Sequence, residues 1–160
     1  MPDHATLARL RALLVDLNAS AAGCWDVSDG RLVLRAFVLG DDLPMKVSID
    51  FTWATASVPL SESDLGIVRA ALDGRVAVSV AADLPPDRGS GLWLRRFGAE
   101  RSVAVPVFDA DGETVRVVSV ALPAGGADDL AVASAARRLD AGALPPDNGR
   151  EDASDSPGAS

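Results

Sequence analysis

Cysteine, histidine, lysine and tyrosine are nearly missing from this 160-residue chain, which has one Cys24, one His4, one Lys46 and no tyrosine. A single cysteine excludes an intramolecular disulfide, a CxxC redox pair and any multi-cysteine zinc or iron–sulfur centre built by one chain. A single histidine leaves one imidazole for catalysis or metal ligation. Excess positive charge is missing too: the formal net charge is -8. A negative field repels phosphates and releases no counterions in compensation, so neither nucleic acid nor an anionic membrane is an expected partner. No run approaches the roughly 18 apolar residues of a membrane helix. Met1-Pro2-Asp3-His4 opens no basic stretch followed by an apolar run, and the chain is expected to be cytoplasmic.

What is present suffices for one core. With 48% hydrophobic and 24% charged residues, the chain has the mixture of one ordinary soluble domain. Leu7, Leu10, Leu14 and Leu17 form one stripe of a helix over about residues 4–19, with Asp3 as a cap. That stripe can pack on the chain's own sheet or pair with a second chain. A strand with Cys24, Trp25 and Val27 leads through Asp29-Gly30, a hairpin signal, into the strand Leu32 to Leu39. Met45, Val47, Ile49, Phe51 and Trp53 alternate with polar residues, and this period of two predicts a half-buried strand. Ser61 or Ser63 then caps a helix through Leu72 that ends at Asp73-Gly74, and the strand Val76 to Val80 follows. After Pro85-Pro86 comes a long connection with a flexible Gly89-Ser90-Gly91 and a short helix over 92–97. Val103 to Phe108 and Val115 to Leu122 pair across Asp109-Ala110-Asp111-Gly112, with Pro106 marking a bulge or an edge. A last helix covers about 128–139. Residues 145–160 read as a disordered acidic tail.

This order describes an α+β domain, one central antiparallel sheet with helices packed on it. The stretches ALDGRVAVSVAADLPP and GAERSVAVPVFDADGETVRVVSVALP, with Val58-Pro59-Leu60 and Arg101 to Val107, resemble the GAF domain, a relative of PAS, over residues 3–140. Arg116-Val117-Val118 stands where many members have Gly-hydrophobic-Leu. The resemblance implies a sensory or regulatory module in which a small molecule lies between the sheet and the long loop, and in which the Leu7–Leu17 helix forms a homodimer. It implies no cofactor, and the expected role is non-enzymatic, through a separate output protein. The alternative is a ligand-free protein–protein interaction module. Members that attach bilins use a cysteine beside a histidine in the loop region, and members that reduce free methionine sulfoxide use several cysteines; Cys24 and His4 fit neither pattern.

Trp53, Trp93, Arg96 and Arg101 are the expected ligand contacts, with Trp53 beneath the other three. Arg88, Arg95, Arg96 and Arg101 fall within fourteen residues of an acidic protein, so they can form a positive site for a carboxylate or phosphate, or pair with Asp83, Asp87 and Glu100. Asp109, Asp111 and Glu113 fall short of a twelve-residue calcium loop and coincide with a turn. Turnover that depends on Asp83 or Arg101 would mark an enzyme instead.

Overall fold

The computed structural model describes residues 4–62 and 64–143. Asp3, Ser63 and the tail 145–160 lie outside the described residues. The elements run α1 (His4–Asp16), β1 (Ala21–Ser28), β2 (Arg31–Leu39), α2 (Met45–Thr55), β3 (Ser57–Pro59), α3 (Gly66–Asp73), β4 (Ala77–Val80), α4 (Gly89–Arg96), β5 (Arg101–Phe108), β6 (Thr114–Leu122) and α5 (Asp129–Ala143). The six strands form one antiparallel sheet in the order β3-β2-β1-β6-β5-β4. The expected α+β class with a central antiparallel sheet is what the chain adopts.

Because side chains alternate along each strand, the sheet buries two cores. Leu10, Leu13 and Leu17 of the first helical segment and Val132, Ala136 and Leu139 of α5 cover one face, against Ala22, Cys24, Val103, Val105, Val118 and Val120. The leucine stripe therefore packs on the chain's own sheet. On the other face α2, α3 and α4 bring Val47, Phe51, Ile67, Val68, Leu94 and Phe97 against Trp25, Ala104, Val117 and Ala121. The turns follow their residues: Asp29 (φ 51°) and Gly30 (φ 76°) are both left-handed between β1 and β2. Pro106 lies past Ala104, the last β5 residue paired with β4, so its missing N–H costs no ladder bond there. A register shift at Cys24/Trp25 lets Asp26 receive Arg35 at 2.6 Å and Arg116 at 2.9 Å.

Residues 45–53 are a helix, not the predicted strand. Residues two apart on a helix point almost oppositely, so the alternating set divides into two faces. Val47, Phe51 and Thr55 are buried, while Met45 (77%), Ile49 (59%) and Trp53 (86%) stay exposed. Each triplet has the i, i+4, i+8 spacing of one helical stripe, and the same apolar positions satisfy both periods. The short β3, not residues 45–53, takes the edge beside β2, at Arg31 to Val33.

Candidate functional site

The residues that could do chemistry with a small molecule gather on the sheet face under α2, α3 and α4. A cavity of about 50 Å³ lies there, lined by Gly23, Trp25, Phe37, Phe51, Leu65, Gly66, Ser90, Trp93, Leu94, Phe97, Ser102 and Ser119 among others. A water needs roughly 10–15 Å³ of such space, so the cavity takes several waters or a group of a few heavy atoms. An open groove of about 280 Å³ shares Leu65 and Trp93 with it and leads outward past Ser57, Pro59, Glu62 and Arg88.

Phe51 on α2 is the hub of the aromatic wall. Its ring centroid lies 4.7 Å from Phe37, 5.1 Å from Trp93, 5.1 Å from Phe97 and 6.0 Å from Trp25, with edge-to-face geometry to the last three. Such pairs are favoured by the ring quadrupole. Trp25 folds back over Gly23, where a Cβ would meet the indole at 2.6 Å, and its Nε1 donates to the Thr55 carbonyl at 3.0 Å, tying the sheet to the last turn of α2. Against this apolar wall stand two hydroxyls on neighbouring strands, Ser102 of β5 and Ser119 of β6. Among the described residues neither hydroxyl has a hydrogen-bond partner.

The roof is closed by two chain segments that cap one another. Ser90 N donates to the Asp64 carbonyl at 3.0 Å, and Gly66 N donates to Ser90 Oγ at 3.1 Å. The segment Gly89-Ser90-Gly91, expected to be a flexible connection, is instead the tightly packed first turn of α4. A Cβ on Gly89 would lie 2.5 Å from the Asp64 carbonyl oxygen, and one on Gly91 2.0 Å from that of Pro85.

The four expected ligand residues part company. Trp93 lines the cavity. Arg96 lies over Trp93 at 5.4 Å and binds Asp50 at 2.9 Å; Lys46 shares that carboxylate at 3.0 Å. Lys46, and after it Arg96, hold Asp50 below the ordinary carboxylate pKa. Trp53 points to solvent from the far side of α2. Arg101 is on the opposite face of the sheet from the cavity, bound to Asp129 at 2.9 Å and to the Ala127 carbonyl. The arginine cluster of the sequence is dispersed in the same way, Arg95 bonding the Gly91 and Ala81 carbonyls. Asp83 is exposed after β4, Asp109 accepts from the backbone of Asp111 and Glu113 within its turn, and His4 is exposed. Among the described residues no group of three His, Cys, Asp or Glu side chains could hold a metal, and no helix is long and apolar enough to cross a membrane. Sequence reasoning missed Trp25, Phe51, Ser102 and Ser119. The serines were legible as the polar members of apolar strands; nothing in the sequence marked the others apart from ordinary core residues.

No family model and no curated protein matches the sequence. Solved structures do. The GAF domain/HD domain protein from Geobacter sulfurreducens superposes with a TM-score of 0.60 at 9% identity, covering 85% of this chain and 87% of that one. This chain has a GAF-like fold. Two enzymes share that GAF-like fold. The type II free methionine-R-sulfoxide reductase from Thermoplasma acidophilum matches with a TM-score of 0.59 at 17% identity over 83% of this chain and 85% of that one. The free methionine-R-sulfoxide reductase from Neisseria meningitidis, solved in complex with its substrate, matches with 0.57 at 19% identity over 85% and 74%. These reductases overturn the expectation of a non-enzymatic regulatory or interaction module, because the fold read from the sequence is also the fold of enzymes. At such identities the GAF-like likeness extends to the fold alone. The cavity of this chain holds no thiol: Cys24 is buried in the other core, under α1 and α5.

Proposed function

We propose that the aromatic cavity is the working site of this chain and takes a small molecule of free-amino-acid size. Its apolar end lies among Trp25, Phe37, Phe51, Trp93 and Phe97, a polar atom meets Ser102 and Ser119, and the rest extends into the groove past Trp93. The observation that carries this reading is the pair of hydroxyls that face an aromatic wall and have no partner among the described residues. An apolar pocket with a few convergent polar groups is the usual form of a small-molecule site. The reductase neighbours, one solved with its substrate, support a ligand of that size. A thioether side chain suits the wall, since its sulfur packs favourably at aromatic edges, and a sulfoxide oxygen would be the polar atom that accepts from Ser102 or Ser119.

The test is a fluorescence titration of the Trp53→Phe protein, whose two remaining indoles both line the cavity, with free methionine, its two sulfoxides and other small amino acids. Each mixture is then assayed for chemical change in the added compound. Saturable quenching that weakens roughly tenfold in Ser119→Leu, which fills the cavity, is the expected result. No saturable response to any of these compounds would overturn the reading.

A further inference from the structure

Beside the aromatic cavity, and sharing Ser90 with it, is a second pocket of about 170 Å³ bounded by Arg69, Arg88, Asp64, Leu84, Pro85 and Gly91. Arg69 rises from α3 and is partly buried. Its Nη2 donates to the hydroxyl of Ser79, itself 2% exposed, at 2.6 Å. That is its one side-chain bond among the described residues, and no described carboxylate lies within 4.0 Å of it. A guanidinium drawn out of bulk water normally has an acid partner, because desolvation is offset only by charge and hydrogen bonds. Here a neutral hydroxyl fixes one nitrogen, and among the described residues the remaining N–H groups have no acid partner.

The second wall adds charge of the same sign. Arg88 borders the pocket, 3.7 Å from Asp64 and 3.7 Å from Asp87, both longer than a hydrogen bond. Asp64 also lines the pocket and is half exposed. Of the side chains that line the pocket two are guanidiniums and one is a carboxylate, and both nearby carboxylates, Asp64 and Asp87, lie by Arg88, which leaves Arg69 as the cation with no described acid partner. The backbone here is held by Gly66 N–H donating to Ser90 Oγ and Ser90 N–H donating to the Asp64 carbonyl, so the segments that carry the walls are fixed before any ligand arrives.

We propose that this pocket is an oxyanion subsite, in which Arg69 and Arg88 receive the carboxylate or phosphate of the small molecule whose apolar end occupies the aromatic cavity. The proposal rests on the reading of that cavity as the ligand site. The open groove past Trp93 shares Asp64 and Arg88 with this pocket, and a molecule that leaves the cavity along it reaches the charged part.

The test follows the Arg69 side-chain Nε–H resonance during titrations with inorganic phosphate and, separately, with acetate, two probes that need no aromatic contact. A saturable Arg69 shift is expected, weakened roughly tenfold in Arg88→Gln. Arg88 is exposed, so Arg88→Gln keeps the fold and leaves the Arg69 reporter in place. The stronger of the two responses identifies the anion class. No saturable Arg69 shift with either probe overturns the subsite, as does a titration unchanged in Arg88→Gln. Indole quenching by the amino acids is read separately, so the cavity can stand when the subsite fails.

Discussion

Trp53 and Trp25 have the same chemistry and opposite fates. Trp53 is 86% exposed and Trp25 1%, so Trp53→Ala is expected to change stability by no more than about 0.5 kcal/mol, while Trp25→Ala costs about 3–5 kcal/mol. Urea unfolding of the two variants checks this. Asp50 gives a pH prediction. Lys46 and Arg96 lower its folded pKa, so their pairing favours the folded state above the ordinary carboxylate value of about 3.9. That contribution is lost as pH falls through the lower, folded pKa. A carbon-detected titration of the Asp50 carboxyl is expected to show a midpoint below the ordinary value, moving up in Lys46→Ala and in Arg96→Gln. A midpoint that ignores both changes would remove the ion-pair explanation.

Two glycines separate the ways in which an element constrains its sequence. Gly74 ends α3 with φ 64° and donates to the Ala70 carbonyl, and a Cβ there meets only an ordinary contact at 3.7 Å. Gly74→Ala is expected to cost about 1 kcal/mol, the price of the left-handed conformation. Gly91 has a different constraint, a carbonyl oxygen 2.0 Å from the position of a Cβ. Gly91→Ala must shift α4 against the Pro85 loop, costing about 1–3 kcal/mol, and should weaken binding in the cavity that α4 roofs. Thermal unfolding and the fluorescence titration together check the pair; equal stability losses with unchanged binding would contradict the account of the roof. The terminator at Asp73-Gly74 was legible in the sequence because left-handed backbone is a local demand. The closure at Gly91 was not, since the atom that requires glycine lies on another segment.

At the scale of the molecule the sheet separates the core under α1 and α5 from the core that holds the cavity. Leu122 is buried on the face covered by α1 and α5, Leu94 on the face that holds the cavity. Each change to alanine is expected to cost about 2–5 kcal/mol, but only Leu94→Ala, whose side chain lines the cavity, should alter ligand affinity. Denaturation curves paired with titrations distinguish the two, and an affinity change in Leu122→Ala would show that the faces are coupled.

The sequence by itself determined the α+β class, both Asp-Gly turns, the terminal helices and most strands, because local propensity, turn chemistry and hydrophobic period agree there. It also determined that a GAF-like arrangement was in view. Tertiary structure decided the state of residues 45–55, whose apolar spacing satisfies a strand and a helix equally until Val47 and Phe51 find Trp25 and Phe97 to pack on. It likewise decided the site. Arg96 and Arg101 lie five residues apart in the chain, yet strand alternation and their acidic partners place one beside Trp93 and the other on the far face. Arg69 and Ser90 lie 21 residues apart, and the Gly66–Ser90 hydrogen bond that joins the starts of α3 and α4 brings them to one pocket. Which side chains share a cavity depends on contacts between distant segments, and no local pattern encodes those.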